Sequence, residues 1–115
     1  MLELLAPAGS MESLRAAVQN GADAVYLGVG EFNARQSAKN FTLETLSEAL
    51  KYCHIRGVQV HLTLNTLVAD KEMQQLRNLI RAAASAGVDA FIVTDLGVLS
   101  LLREVLPEAE IHIST

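Results

Sequence analysis

Two histidines alternate with hydroxyl and amide side chains in short apolar segments. His61 lies beside Thr63 and Asn65 in Gln59-Val-His-Leu-Thr-Leu-Asn65, and His112 beside Ser114 in Ile111-His-Ile-Ser-Thr115. On one strand face, imidazole, hydroxyl and amide groups can donate, accept and transfer protons. A serine nucleophile needs its base within ~2.6–3.2 Å. Side chains two apart on a strand are separated by roughly 6.5 Å along the chain. Without a third orienting group, His112 and Ser114 read as hydrogen-bonding wall residues, not as a peptidase dyad. His61 reads as a packed, bonded histidine rather than a metal ligand. Asn65 could hold a ligand, or could satisfy local backbone groups at the start of a loop. Asp95 could act as acid, base or anchor, but it directly precedes a helical pattern, and the capping role is favoured. Arg35 and Lys39 could clamp a phosphate or carboxylate. His54, beside Arg56 near a helix end, suits the helix C-terminal dipole. Gly28-Val-Gly30-Glu-Phe-Asn33 lacks the last glycine of a dinucleotide loop and opens no helix, so it is discounted. The sequence shows no P-loop, zinc pattern or nucleophile elbow.

The elements that must position these groups alternate regularly. The first strand is expected at Leu2 to Leu5, closed by Ala6-Pro7-Ala8-Gly9. Ser10 caps a helix carrying Met11, Leu14 and Val18, with Gly21 as its stop. Ala24 to Leu27 is the second strand. A long loop from Gly28 to Phe41 carries the basic pair, and its length favours function over solubility alone. Thr42 caps a second helix with Leu43, Leu46, Leu50 and Cys53 in one stripe. Val58 to Leu64 is the third strand. Asp70 caps a third helix bearing Met73, Leu76, Ile80 and Ala83. Ala90 to Thr94, a helix from Leu96 to Leu106, and Ile111 to Ser114 complete the order, with Pro107 marking the last helix's exit. Gly21, Gly57 and Gly87 each follow a helix and lead into an apolar run. Gly21-Ala-Asp-Ala-Val-Tyr-Leu and Gly87-Val-Asp-Ala-Phe-Ile-Val are near-copies.

Strands alternating with helices imply parallel pairing with helical crossovers. Alternation within the third strand discriminates between an open doubly wound sheet and a barrel. Val58, Val60, Leu62 and Leu64 point one way; Gln59, His61, Thr63 and Asn65 point the other. An open sheet with helices on both faces wants apolar residues on both sides. A barrel has helices outside only and tolerates a polar interior near its mouth. Ile111 and Ile113 against His112 and Ser114, and Leu2 and Leu4 against Glu3, repeat the pattern. The expected fold class is therefore α/β, the N-terminal half of a TIM (β/α)8 barrel with about five parallel strands and four helices. Residues 1–115 form a partial domain, since a complete barrel takes ~250 residues. Reacting residues would sit at the C-terminal strand ends and the loops after them.

Composition sets the outer limits. The chain has 115 residues, 50% of them apolar, and a formal charge of −4. It is globular in composition, without a general attraction to nucleic acid or anionic membrane. The single Cys53 excludes an internal disulfide and cannot assemble a cysteine-ligated metal site alone. No signal peptide or membrane-spanning run is evident, so a cytoplasmic location and no membrane partner are expected. Free sheet edges and an open lumen would need covering by the missing C-terminal half or by a second copy of the chain. The isolated chain is expected to be a dimer or larger assembly; a well-folded monomer by light scattering would exclude that.

Leu4-Leu-Ala-Pro-Ala-Gly-Ser, Gly21-Ala-Asp-Ala-Val-Tyr-Leu-Gly, Phe32-Asn-Ala-Arg, Leu62-Thr-Leu-Asn-Thr, Asp89-Ala-Phe-Ile-Val-Thr-Asp-Leu-Gly and His112-Ile-Ser-Thr together resemble the collagenase-like peptidase family of unassigned catalytic type. The resemblance runs from Met1 to Thr115 and implies a barrel in the intact protein. The loop with Phe32, Ala34 and Arg35 is most similar to the branch linked to hydroxylation of ribosomal RNA. Sister branches are linked to hydroxylation of transfer RNA uridines and of the ubiquinone ring. Those activities imply an iron–sulfur cluster held by four cysteines in later segments of the intact protein. Cys53, on an apolar helix stripe, is not one of them, so no cofactor is expected in this segment. What carries over is scaffold and part of a substrate-side wall: Glu3, Arg35, Asn65, Asp95 and His112.

Three readings follow. The intact protein is an iron–sulfur-dependent RNA hydroxylation enzyme, the favoured one, with RNA as its partner; or it is a genuine peptidase acting on protein; or the chain alone is a non-catalytic, self-associating half-barrel. The isolated chain is expected to show no proteolysis of gelatin or casein and no iron uptake.

Overall fold

The computed structural model describes residues 3–29, 41–64 and 73–114. The elements are β1 (Leu5–Pro7), α1 (Met11–Gln19), β2 (Ala24–Leu27), α2 (Leu43–Ile55), β3 (Gln59–Leu64), α3 (Met73–Ala86), β4 (Ala90–Val93), α4 (Leu96–Val105) and β5 (Ile111–Ile113). All strand pairs are parallel, and the strands lie in chain order, β1-β2-β3-β4-β5. A doubly wound sheet reverses its order at a switch point; this one never does. Right-handed crossovers that always step the same way put every helix on the same face. Consecutive helices accordingly pack side by side, α1 on α2, α2 on α3 and α3 on α4. The arrangement is the first half of a (β/α)8 barrel.

Local chemistry explains where the helices start. Ser10 Oγ accepts the Ser13 N–H at 3.1 Å. At α2, Thr42 Oγ1 accepts the Thr45 N–H at 3.2 Å, while Thr45 Oγ1 accepts the Thr42 N–H at 2.7 Å, closing a capping box with threonine in its third position. At the other ends, Gly21, Gly57 and Gly87 have φ of 94°, 74° and 108°. Those left-handed conformations turn the chain from helix to strand and are strained for any residue with a Cβ. The cap expected at Asp70 lies outside the described residues.

Strand register sorts side chains into two populations. Leu27, Leu62, Phe91 and Ile111 fall in line, as do Val25 with Val60 and Leu64 with Val93. These face the helices and join one core with Leu14, Leu46, Leu50, Cys53, Leu76, Ile80, Ala83, Val98 and Leu102. The opposite face carries Tyr26, Gln59, His61, Thr63, Ile92 and His112. Ala24 and Ala90 are also buried there but lie outside the core cluster. The alternation expected of strands three and five is present.

Two expectations shift. The first strand forms at Leu5–Pro7 rather than at Leu2 to Leu5. Before it, Leu4 is tied to Asp23: its N–H donates to Asp23 Oδ2 at 2.7 Å and its carbonyl accepts the Asp23 N–H at 2.8 Å. The ladder begins only after that knot. Pro7 is tolerated because β1 is an edge strand. Ala8 donates to Tyr26 at 2.9 Å, so the preceding nitrogen, which has no hydrogen, faces the free side. Leu43 does not share the buried stripe of α2; it is 45% exposed at the helix's first position, one turn ahead of buried Leu46.

Candidate functional site

The lumen face brings the two strand histidines together. His61 stands opposite Ala90 on β4, and His112 stands opposite Ile92 one step further along. Because Ala90 is small, the rings meet above it across the intervening strand. Their centroids are 5.0 Å apart and their planes nearly perpendicular, at 86°. Ala90, though it faces the lumen, is 1% exposed.

Each ring is oriented by the residue two before it. His61 Nε2 donates to Gln59 Oε1 at 3.1 Å, and His112 Nε2 donates to Glu110 Oε2 at 2.7 Å. His61 is 5% exposed, and its Nδ1 is buried without a hydrogen-bond partner among the described residues. Burial holds its pKa below the ordinary value of 6.5. Neighbouring His112 acts in the same direction, against the carboxylates of Glu110, Asp89 and Glu3. Thr63 Oγ1, on the same face, donates to the Leu27 carbonyl at 3.1 Å and ties β3 to β2. The arrangement can hold a neutral imidazole at the wall's centre and a carboxylate-backed imidazole nearer the C-terminal strand ends.

The residues singled out from sequence separate. His112 lies on the lumen face, 44% exposed at its side chain. Its hydrogen bond goes to Glu110 and not to Ser114, whose N–H donates to Val93 at 2.8 Å. Asp95 caps α4, with Oδ1 accepting the Val98 N–H at 3.0 Å. A Cβ at Gly97 would sit 3.0 Å from that oxygen, so glycine keeps the cap open. Glu3 precedes β1 at the opposite end of the sheet from the strand C-termini, and it enters only through its charge on His61. Arg35, Asn65 and Lys39 lie outside the described residues. His54 sits in the last turn of α2 as expected, and its partner is Asp89 Oδ2 at 2.7 Å.

Sequence reasoning missed the two orienting groups, although the signal is printed twice. Gln59-Val-His61-Leu-Thr63 and Glu110-Ile-His112-Ile-Ser114 are one pattern on β3 and β5. The duplicated aspartates are likewise one device. Asp89 Oδ2 accepts the Val60 N–H at 2.7 Å while its own N–H donates to the Val60 carbonyl at 2.9 Å, the same knot that Asp23 makes with Leu4.

Among the described residues no group of three or more His, Cys, Asp and Glu converges as a metal site. Cys53 does not fit a cluster ligand. It is fully buried on α2, and burial pushes its thiol up to about 11, against Arg56 and with Asp89. A thiolate is the reacting and ligating form. Native protein should therefore resist iodoacetamide at about pH 8, while urea-unfolded protein is alkylated fully; stoichiometric labelling of the native fold would contradict this.

No helix among the described residues is long and apolar enough to cross a membrane. A family model described as "Peptidase family U32" matches residues 9–115. The chain is 41% identical over 114 residues to the 23S rRNA 5-hydroxycytidine C2501 synthase of Escherichia coli (strain K12), covering 99% of this chain and 17% of that protein. It is 40% identical over 114 residues to a collagenase of Porphyromonas gingivalis, covering 98% and 27%. It is 38% identical over 113 residues to the tRNA hydroxylation protein P1 of Bacillus subtilis, covering 98% and 27%. The solved structure of the U32 peptidase Mk0906 superposes with a TM-score of 0.70 at 20% identity, over 98% of this chain and 47% of that one. The chain thus spans about a quarter or less of these curated relatives and about half of that solved chain. Match and fold agree over nearly its whole length: the chain belongs to peptidase family U32.

Proposed function

We propose that the intact protein hydroxylates a pyrimidine base of ribosomal or transfer RNA, and that this chain supplies the N-terminal half of its barrel wall. The observation that carries the reading is chain-long identity to proteins named for RNA hydroxylation, at 41% and 38%. The hydrogen-bonding lumen supports it, because Tyr26, Gln59, Thr63 and His112 offer a flat base donors and acceptors, and no hydrolytic constellation forms among the described residues. The charge of −4 means that basic surface for RNA must come from elsewhere in the intact protein. The iron–sulfur cluster belongs, in this reading, to cysteines outside these residues. Deleting the encoding gene should abolish one hydroxylated pyrimidine in nucleoside mass spectra of the host's RNA, and the intact gene should restore it. An unchanged RNA profile defeats the proposal.

A peptidase reading is favoured by the collagenase likeness and by the names of the family and of the solved neighbour. Among the described residues it lacks a nucleophile within reach of a base. In either reading these residues by themselves are inactive, and the isolated chain cleaves neither gelatin nor casein.

A further inference from the structure

We propose that His112 is a proton acceptor on the barrel's inner wall, that Glu110 is the positioning residue that sets its tautomer, and that His61 is its neutral counterpart. The argument comes from one device built twice with a single chemical difference. Both rings are held through Nε2–H by the side chain two residues earlier, at 3.1 Å for Gln59 and 2.7 Å for Glu110. A ring whose Nε2 carries the donated hydrogen keeps its lone pair on Nδ1. Behind His61 stands an amide oxygen, which favours that tautomer but cannot offset a second proton. Behind His112 stands a carboxylate, which fixes the tautomer and also faces the positive charge that forms when Nδ1 takes a proton.

Burial divides the roles in the same way. His61 is 5% exposed and its buried Nδ1 has no partner among the described residues, which leaves it no described group to relay a proton to. In this segment the His112 side chain is 44% exposed and lies one step nearer the strand C-termini, the end from which a barrel's lumen is entered. Among the described residues, the titratable and charged groups around the pair are Tyr26 opposite His61, Glu3 ahead of β1, Asp89 ahead of β4 and Glu110 ahead of β5. A protonated His61 beside a protonated His112 would set two like charges 5.0 Å apart at ring centres. Keeping His61 neutral avoids that.

The step assigned to His112 is a proton transfer alone. A substrate C–H or O–H bond breaks heterolytically, its electron pair stays on the substrate, and the proton moves to Nδ1. Where an electrophilic oxygen donor adds a hydroxyl to a pyrimidine carbon and is itself reduced by two electrons, restoring the ring double bond releases that carbon's hydrogen as a proton, and this is the proton in question. Only this identification of the substrate rests on the RNA reading above.

The test uses the intact protein labelled with 15N at histidine, His112→Gln identifying the resonance. At about pH 8 the His112 ring should be the Nε2–H tautomer in wild type and in Glu110→Gln, whose amide oxygen still accepts. In Glu110→Ala it should become a tautomer mixture. In cells, His112→Gln should lower the hydroxylated nucleoside by about 100-fold or more, and Glu110→Gln by about 10-fold or more, since the carboxylate's charge is lost but not its geometry. Glu110→Asp should restore part of the latter. An Nδ1–H tautomer in wild type, an unchanged tautomer in Glu110→Ala, or full modification by His112→Gln overturns the proposal. If the wild-type protein modifies no RNA base, the RNA reading falls, and the tautomer measurements still decide the assignment of Glu110 and His112.

Discussion

Replacing Leu62 with asparagine is expected to unfold the protein, while replacing His61, its immediate neighbour, with leucine leaves the protein folded. Leu62 is 0% exposed at the middle of the central strand and faces the helices, in register with Leu27 and Phe91. Truncating such a side chain costs about 2–5 kcal/mol. An amide left there without partners adds about 1–3 kcal/mol. The sum is comparable with the whole stability of a domain, typically about 5–15 kcal/mol. His61 is also buried, at 5% exposed, but sits on the other face, with one ring nitrogen unpartnered among the described residues. Replacing it with leucine removes that unsatisfied atom and should change stability by less than about 1.5 kcal/mol. Equilibrium urea unfolding measures both, and equal losses would refute the two-faced sheet.

His61 also gives the pair a pH signature. Its folded pKa is depressed by burial, so the unfolded chain binds a proton where the folded one does not. Stability contributed by the neutral ring is present above the ordinary value of 6.5 and is lost as pH falls from there toward the folded value. His61→Leu should lose less stability than wild type over that interval.

Asp89→Ala is expected to cost about 2–3 kcal/mol, against less than about 1 kcal/mol for Asp23→Ala, although the two occupy the same place in a duplicated motif. Asp89 accepts the part-buried Val60 N–H and also binds His54, so it joins the entrance of β4 to β3 and to the end of α2. Its loss strands a strand amide that water reaches poorly. The His54 contact adds little, since both side chains are partly exposed, at 40% and 30%. Among the described residues the Asp23 side chain accepts only the exposed Leu4 N–H, which water can take over. Thermal unfolding of the two variants side by side measures the difference; a larger loss for Asp23→Ala would reverse this account.

Why some of this was readable in the sequence and some not comes down to the range of the deciding contact. The caps at Ser10, Thr42 and Asp95 are settled within three residues by a side-chain oxygen and a backbone N–H. The glycines act on their own backbone, and β2 and β4 follow from runs bounded by those glycines. The start of β1 is settled by Asp23, nineteen residues away, so alternation alone misplaced it. The faces of β3 and β5 were visible in their alternation. That His61 and His112 touch was not, because the contact depends on parallel register and on a small residue between them. Asp95 shows the opposite case, a residue with chemistry in its side chain whose oxygen is occupied by its own helix.

The repeated aspartate knot has an architectural consequence. Asp23 clasps the segment entering β1 to β2, and Asp89 clasps β3 to β4, at the same rim of the sheet. These four strands are thus riveted in twos, and the repeated brick is a pair of strands with their helices. A builder extending this wall, whether evolution or an engineer splicing modules, needs no new joint, only another aspartate at the mouth of every second strand.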